Sequence, residues 1–258
     1  VKAAAGSQKS IAIGYDAQAS GTSGDAIAIG SGSRTTGDQA VGIGKSAAAS
    51  GGSSVAIGSA ATATGGSNVA IGNNASATIG GWATALGFGA KTTDTAAAAL
   101  GYNAQAGYYG TALGAIAVAG NNATAVGTKT TASGSASLAA GYSANSSGQY
   151  STAVGPYAKA SGQGSTALGG NYQLGANAVS ENSVALGSGS VANVNKNVVG
   201  VDPRTGLAST SVTPVWKSTT GAVSVGDVAN GTTRQIVSVA AGTADSDAVN
   251  VAQLKSAT

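Results

Sequence analysis

The stretch Ser54-Val55-Ala56-Ile57-Gly58-Ser59 carries the pattern on which the fold of this chain depends. An apolar residue, an alanine, a second apolar residue and a glycine follow one another, and this order returns along most of the chain. A fixed period indicates a repeat architecture, in which each repeat is one structural unit stacked on the next. The closing glycines are 13 to 18 residues apart, most often 14, and they are Gly14, Gly30, Gly44, Gly58, Gly72, Gly87, Gly101, Gly114, Gly127, Gly141, Gly155, Gly169 and Gly187.

Each repeat predicts two short strands. Val55 and Ile57 alternate with Ala56, and a period of two places alternate side chains on opposite faces of a strand. The following half-repeat, residues 59–65, alternates in the same way and ends at a glycine, which permits a tight turn. One repeat is therefore strand, turn, strand, turn, which makes one coil of a flattened solenoid.

The alternation also predicts how the coils pack. We expect the Val and Ile pairs to fill the inside of the rod, with the alanine face outside and small enough for another chain to approach closely. Twelve steps at the strand spacing give a rod about 60 Å long, and its narrow section favours side-by-side association of chains. The expected core residues of the repeats include Val55, Ile57, Val69, Ile71, Val184 and Leu186.

Composition argues against several classes of function. The 258 residues include no Cys and no His, which removes disulfides, thiolate nucleophiles and the usual zinc ligands. Charged residues make up 8% of the chain, and the net charge of +3 comes from scattered single side chains rather than from a basic face. No apolar run approaches the length of a membrane helix. We therefore predict no catalytic residues, no metal, no cofactor, no nucleic-acid partner and no membrane contact by this segment.

The character of the sequence changes after Gly187. Pro203 and Pro214 lie in this part, and Val212–Trp216, Gly221–Val225 and Thr233–Val239 are strand-like runs. Farther on, Asp245 or Ser246 is predicted to cap a helix. Val251 and Leu254, three residues apart, would begin a coiled-coil seam in that helix, and we expect Trp216 to be a packed side chain.

Together these motifs resemble the head and neck of the YadA-like trimeric autotransporter adhesins. The family's head repeat, Asn-Ser-Val-Ala-Ile-Gly, stands almost unchanged at residues 54–58, 68–72 and 182–187. The segment 247–254, Asp-Ala-Val-Asn-Val-Ala-Gln-Leu, is similar to the end of the family's neck. Residues 213–216 with 221–225 resemble the Trp-ring insert of some members. Gly42 and Ala140 depart from the repeat pattern, so ligand sites of the family do not transfer residue by residue.

The resemblance implies an all-β fold. It would be a left-handed parallel β-roll that forms a homotrimer, followed by a small β insert and a neck leading into a short coiled-coil helix. The implied domains are a β-roll head at 1–190, a Trp-ring-like β domain at 191–232, and neck plus stalk start at 233–258. The implied function is attachment of a bacterium to host cells or extracellular-matrix proteins. The protein would be exported and anchored in the outer membrane through a C-terminal translocator outside this segment.

Aromatic residues recur at fixed places in the repeat. Trp82, Tyr109 and Tyr150 each lie five residues before a closing glycine, and Phe88, Tyr102 and Tyr142 each lie one residue after it. Such columns predict vertical stacking along the rod. The rings either form a structural ladder or present a strip for protein ligands, since Trp and Tyr are enriched in binding hot spots. In the second case Trp82, Tyr109 and Tyr150 are the candidate ligand contacts.

Two other functions compatible with a solenoid were considered. An ice-binding solenoid needs a flat array of threonines, but the pairs Thr35-Thr36, Thr92-Thr93 and Thr130-Thr131 are interrupted by other residues. A polysaccharide-active solenoid enzyme needs carboxylates converging in one groove. Asp25 and Asp38 could be neighbours in a turn column, but two solvated turn aspartates explain them far better.

Overall fold

The computed structural model describes residues 2–257. The chain folds as a parallel β-solenoid built from two sheets of fourteen strands each, which confirms the all-β prediction. Two-residue strands form the first sheet, namely β1 Ala4–Ala5, β3 Gln18–Ala19, β5 Arg34–Thr35, β7 Ala48–Ala49, β9 Thr62–Ala63, β11 Ser76–Ala77, β13 Lys91–Thr92, β15 Gln105–Ala106, β17 Val118–Ala119, β19 Thr131–Ala132, β21 Asn145–Ser146, β23 Lys159–Ala160, β25 Asn177–Ala178 and β27 Val191–Ala192.

Three-residue strands form the second sheet, apart from its last, two-residue member. They are β2 Ile11–Ile13, β4 Ile27–Ile29, β6 Val41–Ile43, β8 Val55–Ile57, β10 Val69–Ile71, β12 Thr84–Leu86, β14 Ala98–Leu100, β16 Thr111–Leu113, β18 Thr124–Val126, β20 Leu138–Ala140, β22 Thr152–Val154, β24 Thr166–Leu168, β26 Val184–Leu186 and β28 Val223–Ser224. Each strand pairs in parallel with the equivalent strand one coil away, so that Val55, Ala56 and Ile57 lie beside Val69, Ala70 and Ile71.

Alanine fills the interior of the roll. Ala56 in β8 and Ala61 and Ala63 in the second half of the same coil are fully buried, whereas Val55 and Ile57 are only half-buried. The prediction that the Val and Ile pairs lie inside and the alanines outside is wrong for the single chain. The two sheets are so close that the inner positions accept only small side chains, and the larger side chains therefore point outward.

The expected core residues share this outward position. Within the single chain Val69, Ile71 and Val184 are half-buried and Leu186 is exposed. The fully buried alanines instead form continuous clusters along the rod, such as the one from Ala40 to Ala90. The core of this chain is thus a column of methyl groups.

Gly42, which departs from the repeat pattern, is explained by its neighbour across the roll. Thr35 replaces an inner alanine, is fully buried, and donates its hydroxyl to the carbonyl oxygen of Ile27 at 2.9 Å. A Cβ on Gly42 would lie 2.4 Å from the Thr35 hydroxyl oxygen. The glycine therefore makes room for the one extra-large side chain in that coil.

We expect Gly42→Ala to lower the free energy of unfolding by about 2 kcal/mol, because it overpacks this site. Adding Thr35→Ala should recover most of that loss, since the pair then matches the alanine packing of the other coils. Urea unfolding of the two single variants and the double variant measures the coupling. A double variant whose loss equals the sum of the single losses would contradict the explanation.

Asn68 solves a different packing problem. The coil that follows it is one residue longer, and the Asn68 side chain bridges the gap by accepting from the Ala83 N–H at 2.9 Å and donating to the Ala77 carbonyl at 2.9 Å. Asn68 is fully buried. Its amide thus stands in for backbone pairing that the longer coil has lost.

Asn68→Ala should destabilise the chain by about 2 kcal/mol, because it leaves the buried Ala83 N–H without its acceptor. Ser54→Ala is the matched control at the same place one coil earlier. The Ser54 hydroxyl is buried and has no hydrogen-bond partner, so its removal should cost little or should stabilise. Thermal unfolding compares the two; equal losses would contradict the assigned role of Asn68.

The chain leaves the roll after β27 and then returns to it. Residues 193–222 form an excursion held by isolated bridges between Val199 and Lys217 and between Val201 and Ala208, and β28 then pairs with β26. The expected strand at 212–216 is a turn, in which the Trp216 N–H donates to the Thr213 carbonyl at 2.9 Å. The expected strand at 233–239 is also absent, whereas 221–225 contains β28.

Two short helices lie in the C-terminal part. A 3₁₀ helix spans Val228–Asn230, and α1 spans Val251–Ser256. The cap of α1 is Asn250 rather than Asp245 or Ser246. Its side chain accepts from the Gln253 N–H at 2.9 Å, and Gln253 reaches back to the Asn250 N–H, which forms a capping box.

Candidate functional site

The outer face of the three-residue strands is a largely apolar surface of two columns, in which five threonines of the first column are the polar members. The column at the first strand position holds Ile11, Ile27, Val41, Val55, Val69, Thr84, Ala98, Thr111, Thr124, Leu138, Thr152, Thr166 and Val184. The column at the third position holds Ile13, Ile29, Ile43, Ile57, Ile71, Leu86, Leu100, Leu113, Val126, Ala140, Val154, Leu168 and Leu186. We call this surface the apolar face.

The outer face of the two-residue strands has a different character. Its positions are mostly polar or small, as at Arg34, Thr62, Lys91 and Lys159. A sheet surface of this kind is suited to water, whereas a long apolar face on a rod this thin marks an interaction surface.

Trp82, Tyr109 and Tyr150 occupy the turns that lead into the three-residue strands, two residues before the strand begins. We call these turns the entry turns. The residue at this place has a positive φ of 49 to 60° in twelve coils, in the left-handed region that suits Asn, Asp and Gly. Asp25, Asn122 and Asn182 hold the same place in other coils.

The three aromatic residues are exposed, at 74% for Trp82, 54% for Tyr109 and 61% for Tyr150. A bulky side chain in the left-handed region is unfavourable, and these rings are not compensated by burial. Within residues 2–257, only Tyr109 has a ring contact, an edge-to-face packing on adjacent Tyr108 at 4.5 Å between centroids. The predicted vertical stacking of this column is therefore wrong, because Ala96 lies between Trp82 and Tyr109, and Asn122 and Ala136 lie between Tyr109 and Tyr150.

Rings do pack on each other in the turns that follow the closing glycines. Phe88 and Tyr102 are stacked at 5.5 Å with an interplanar angle of 17°, which confirms the predicted stacking for that pair. Tyr142 instead meets Tyr157 edge to face at 5.4 Å. The Lys129 ammonium lies 5.8 Å from the Tyr142 ring centroid and lowers the pKa of Tyr142. The rings in the turns after the closing glycines thus form, in part, a structural ladder. The sequence pattern alone could not distinguish such a ladder from a strip of rings that binds a ligand.

The Asp38 carboxylate is held by groups of the turn one coil earlier. Asp38 accepts from the Ser23 N–H at 2.6 Å and from the Thr22 hydroxyl at 3.5 Å, and these hydrogen bonds lower its pKa. Within the part of the chain that the structure describes, no group of three or more Asp or Glu residues could hold a metal ion. None of the helices in residues 2–257 is long and apolar enough to cross a membrane.

The threonine pairs do not form an exposed array. Thr35, Thr92 and Thr130, the first member of each pair, are fully buried inside the roll. A flat ice-binding surface needs both threonines of each pair exposed to water. The ice-binding alternative therefore loses its main support.

Comparison with known families identifies two parts of the chain. The family described as "YadA head domain repeat" matches residues 5–33, 22–47, 49–75, 83–104, 119–144, 146–171 and 174–195. The family described as "Coiled stalk of trimeric autotransporter adhesin" matches residues 235–258. The head-repeat matches together cover more than half of the chain.

Individual relatives agree with this. Autotransporter adhesin BadA of Bartonella henselae is 56% identical over 78 residues, which is 30% of this chain and 2% of that protein. Trimeric autotransporter adhesin AtaA of Acinetobacter sp. (strain Tol 5) is 71% identical over 38 residues, which is 15% of this chain and 1% of that protein. The chain therefore matches only a small part of the length of these relatives.

Among solved structures, the collagen-binding domain of the Yersinia adhesin YadA aligns over 97% of this chain and 98% of that domain, with 22% identity and a TM-score of 0.28. The family matches, together with the two-sheet solenoid, confirm the resemblance drawn from the repeat motif. The chain belongs to the trimeric autotransporter adhesins and carries their YadA-like head repeats and a segment that matches their coiled stalk.

Proposed function

We propose that this chain is the head of a homotrimeric adhesin that attaches a bacterium to host cells or to extracellular-matrix proteins. Membership in the adhesin family supports the class of function. The observation that carries the proposal for this chain is the apolar face, which runs along the rod and which a single chain leaves half-exposed. No catalytic role is assigned to any residue. As in the family, the protein would be anchored in the outer membrane.

The apolar face is the surface through which the chains would associate. Isoleucine or leucine occupies most of its second column, and three such faces meeting on an axis would bury them. The polar face of the two-residue strands would then remain in water. The alanines at the inner positions have no part in this contact, because they are already buried inside each roll.

The regions after the roll have separate parts in the proposal. Residues 191–232 would form the Trp-ring-like domain and 233–258 the neck and start of the stalk. Trp216, Val251 and Leu254 are 36%, 67% and 61% exposed in the single chain. Association of three chains would bury them, with Val251 and Leu254 on the seam of the stalk.

Adhesion would use the exposed rings of the entry turns. Trp82, Tyr109 and Tyr150 offer large, rigid contact areas, and a trimer presents each of them three times. Repetition raises the effective affinity of weak contacts when a host surface engages several at once. A merely structural role for these rings is disfavoured by their exposure and their left-handed backbone.

The experiment replaces the three rings by asparagine, the residue found at the same place in Asn122 and Asn182. We expect the triple variant Trp82→Asn, Tyr109→Asn, Tyr150→Asn to keep or raise its melting temperature, because asparagine is better suited to the left-handed region. Binding to host-cell monolayers and to a panel of immobilised matrix proteins should fall by about tenfold or more.

Tyr172→Ala is the control, since it removes an exposed ring from the loop after Gly169, away from the entry turns. It should bind like the unmodified protein. If the triple variant loses stability and keeps its binding, the rings are structural and the proposed contacts are wrong. If the unmodified protein binds neither cells nor matrix proteins, the adhesive function itself is contradicted.

A further inference from the structure

Four exposed side chains with large apolar surfaces lie on the first and third of three successive entry turns. Ile79 and Trp82 lie in one turn, and Tyr108 and Tyr109 lie two coils farther on. The turn between them contributes Asp94 and Ala96, and no large apolar side chain. We call Ile79, Trp82, Asp94, Tyr108 and Tyr109 the entry-turn patch.

The backbone under the patch is held by a ladder of hydrogen bonds. The Trp82 N–H donates to the Gly66 carbonyl at 3.1 Å, the Ala96 N–H to Gly81 at 2.9 Å, and the Tyr109 N–H to Thr95 at 3.1 Å. The turns therefore stack directly, and Trp82 and Tyr109 stand at equivalent positions two coils apart. Such a surface needs little ordering when a ligand binds.

The polar groups of the patch are acceptors and neutral donors. Asp94 accepts one hydrogen bond, from the Thr95 N–H at 2.7 Å, and its carboxylate forms no ion pair within residues 2–257. No lysine or arginine lies in these three turns, and the exposed amides of Asn121 and Asn122 continue the same edge. The carboxylate therefore has acceptor capacity left for a ligand that supplies neutral donors.

The spacing of the rings limits the ligand further. Two coils at the strand spacing place the Trp82 and Tyr109 positions about 10 Å apart along the rod. An extended β-1,4-linked hexose chain places equivalent sugar faces at nearly this interval, with one sugar to each coil. The C–H face of a pyranose packs on an aromatic ring, and its hydroxyls donate to carboxylate and amide oxygens.

We infer that the entry-turn patch binds an extended β-1,4-linked glycan along the axis of the rod, with sugar rings stacked on Trp82 and Tyr109 and hydroxyls hydrogen-bonded to Asp94. The inference rests on the proposed adhesive function and names the chemistry of one of its partners. A proline-rich peptide, which also packs on aromatic rings, is the competing occupant, and the titration below separates the two. Tyr150 lies three coils beyond Tyr109, out of phase with this repeat, and is not part of the patch.

Trp82 itself provides the signal for the test. The chain has two tryptophans, so a Trp216→Phe background leaves Trp82 as the single indole. Titration of that protein with cellohexaose, a β-1,4-linked glucose chain, should shift the Trp82 emission to shorter wavelength. Maltohexaose, which is α-1,4-linked glucose and coiled, is the matched control and should give no saturable shift.

Variants then assign the contact. Tyr109→Asn and Asp94→Asn should each weaken cellohexaose binding by about tenfold, whereas Tyr172→Ala should leave it unchanged. No saturable response to cellohexaose, or an equal response to maltohexaose, would overturn the inference. A shift caused by a proline-rich peptide and not by glycans would also overturn it. Host-cell binding is measured separately on the same protein. A negative glycan titration with normal host-cell binding would overturn the glycan inference and leave the adhesive function intact.

Discussion

Gly58→Ala is expected to lower the free energy of unfolding by about 3 kcal/mol, because the added methyl group meets both a strained backbone and a close neighbour. Gly58 has a φ of +133°, and a Cβ there would lie 2.4 Å from the carbonyl oxygen of Gly72 in the next coil. The contact is with backbone that is held in the ladder, so it cannot be relieved by rotating a side chain. Urea unfolding followed by circular dichroism measures the loss.

Gly52→Ala is the matched control within the same coil. Gly52 does not have a positive φ in the left-handed range, and nothing lies within 4 Å of the position of an added Cβ. We expect this variant to be as stable as the unmodified protein or slightly more stable, because alanine reduces the entropy of the unfolded chain. If the Gly58 and Gly52 variants unfolded at the same urea concentration, the close approach of successive coils at the closing glycines would be wrong.

Ile43→Asp, Ile57→Asp and Ile71→Asp, made together, should abolish association of the chains while leaving the roll folded. The three isoleucines are consecutive in the second column of the apolar face and are half-buried in the single chain. In a trimer each substitution would place three carboxylates together in an apolar contact, and removing ions from water costs several kcal/mol per group. Sedimentation should then give the mass of one chain, with an unchanged β-type circular dichroism spectrum.

The control carries the same three charges on the other face of the same coils. Ala48, Thr62 and Ser76 point outward from the two-residue strands and are also half-buried. Their replacement by aspartate should leave the association state unchanged. If the control variant dissociated and the isoleucine variant stayed oligomeric, the chains would associate through the face of the two-residue strands. The assignment of the contact to the apolar face would then be wrong.

The strands and turns could be predicted from the sequence because the period repeats them many times. Residues such as Val55, Ala56, Ile57 and Gly58 define a strand and a turn that hydrogen bonding between coils then enforces. Which face of each three-residue strand points into the roll could not be predicted in the same way, because both faces are apolar. Only the distance between the two sheets decides it, and that distance admits a methyl group and excludes an isoleucine.

A signal for the correct direction is nevertheless present in the sequence. The inner positions vary only among small residues, with Asn68, Thr35, Thr92 and Thr130 as the largest, and Thr35 is accompanied by Gly42. The outer positions range from alanine to leucine and isoleucine, which indicates that their size is not limited by the roll. Variation in side-chain volume along each column therefore separates inside from outside where hydrophobicity does not.

The candidate site was only partly predictable. The recurrence of Trp82, Tyr109 and Tyr150 at one place in the repeat is visible in the sequence, but their left-handed backbone and lack of mutual stacking are not. The contribution of Tyr108, Asp94 and Ile79 depends on how successive turns are superposed, which follows from hydrogen bonds between residues 13 to 16 positions apart. The predicted start of α1, at Asp245 or Ser246, is too early. The capping box of Asn250 and Gln253 begins the helix closer to the C-terminus.

The central claim is that the apolar face joins three copies of this chain. Sedimentation equilibrium of the unmodified protein at micromolar concentration tests it most directly. The account predicts a single species of three times the 24.0 kDa chain mass. A stable species of 24.0 kDa at that concentration would contradict it.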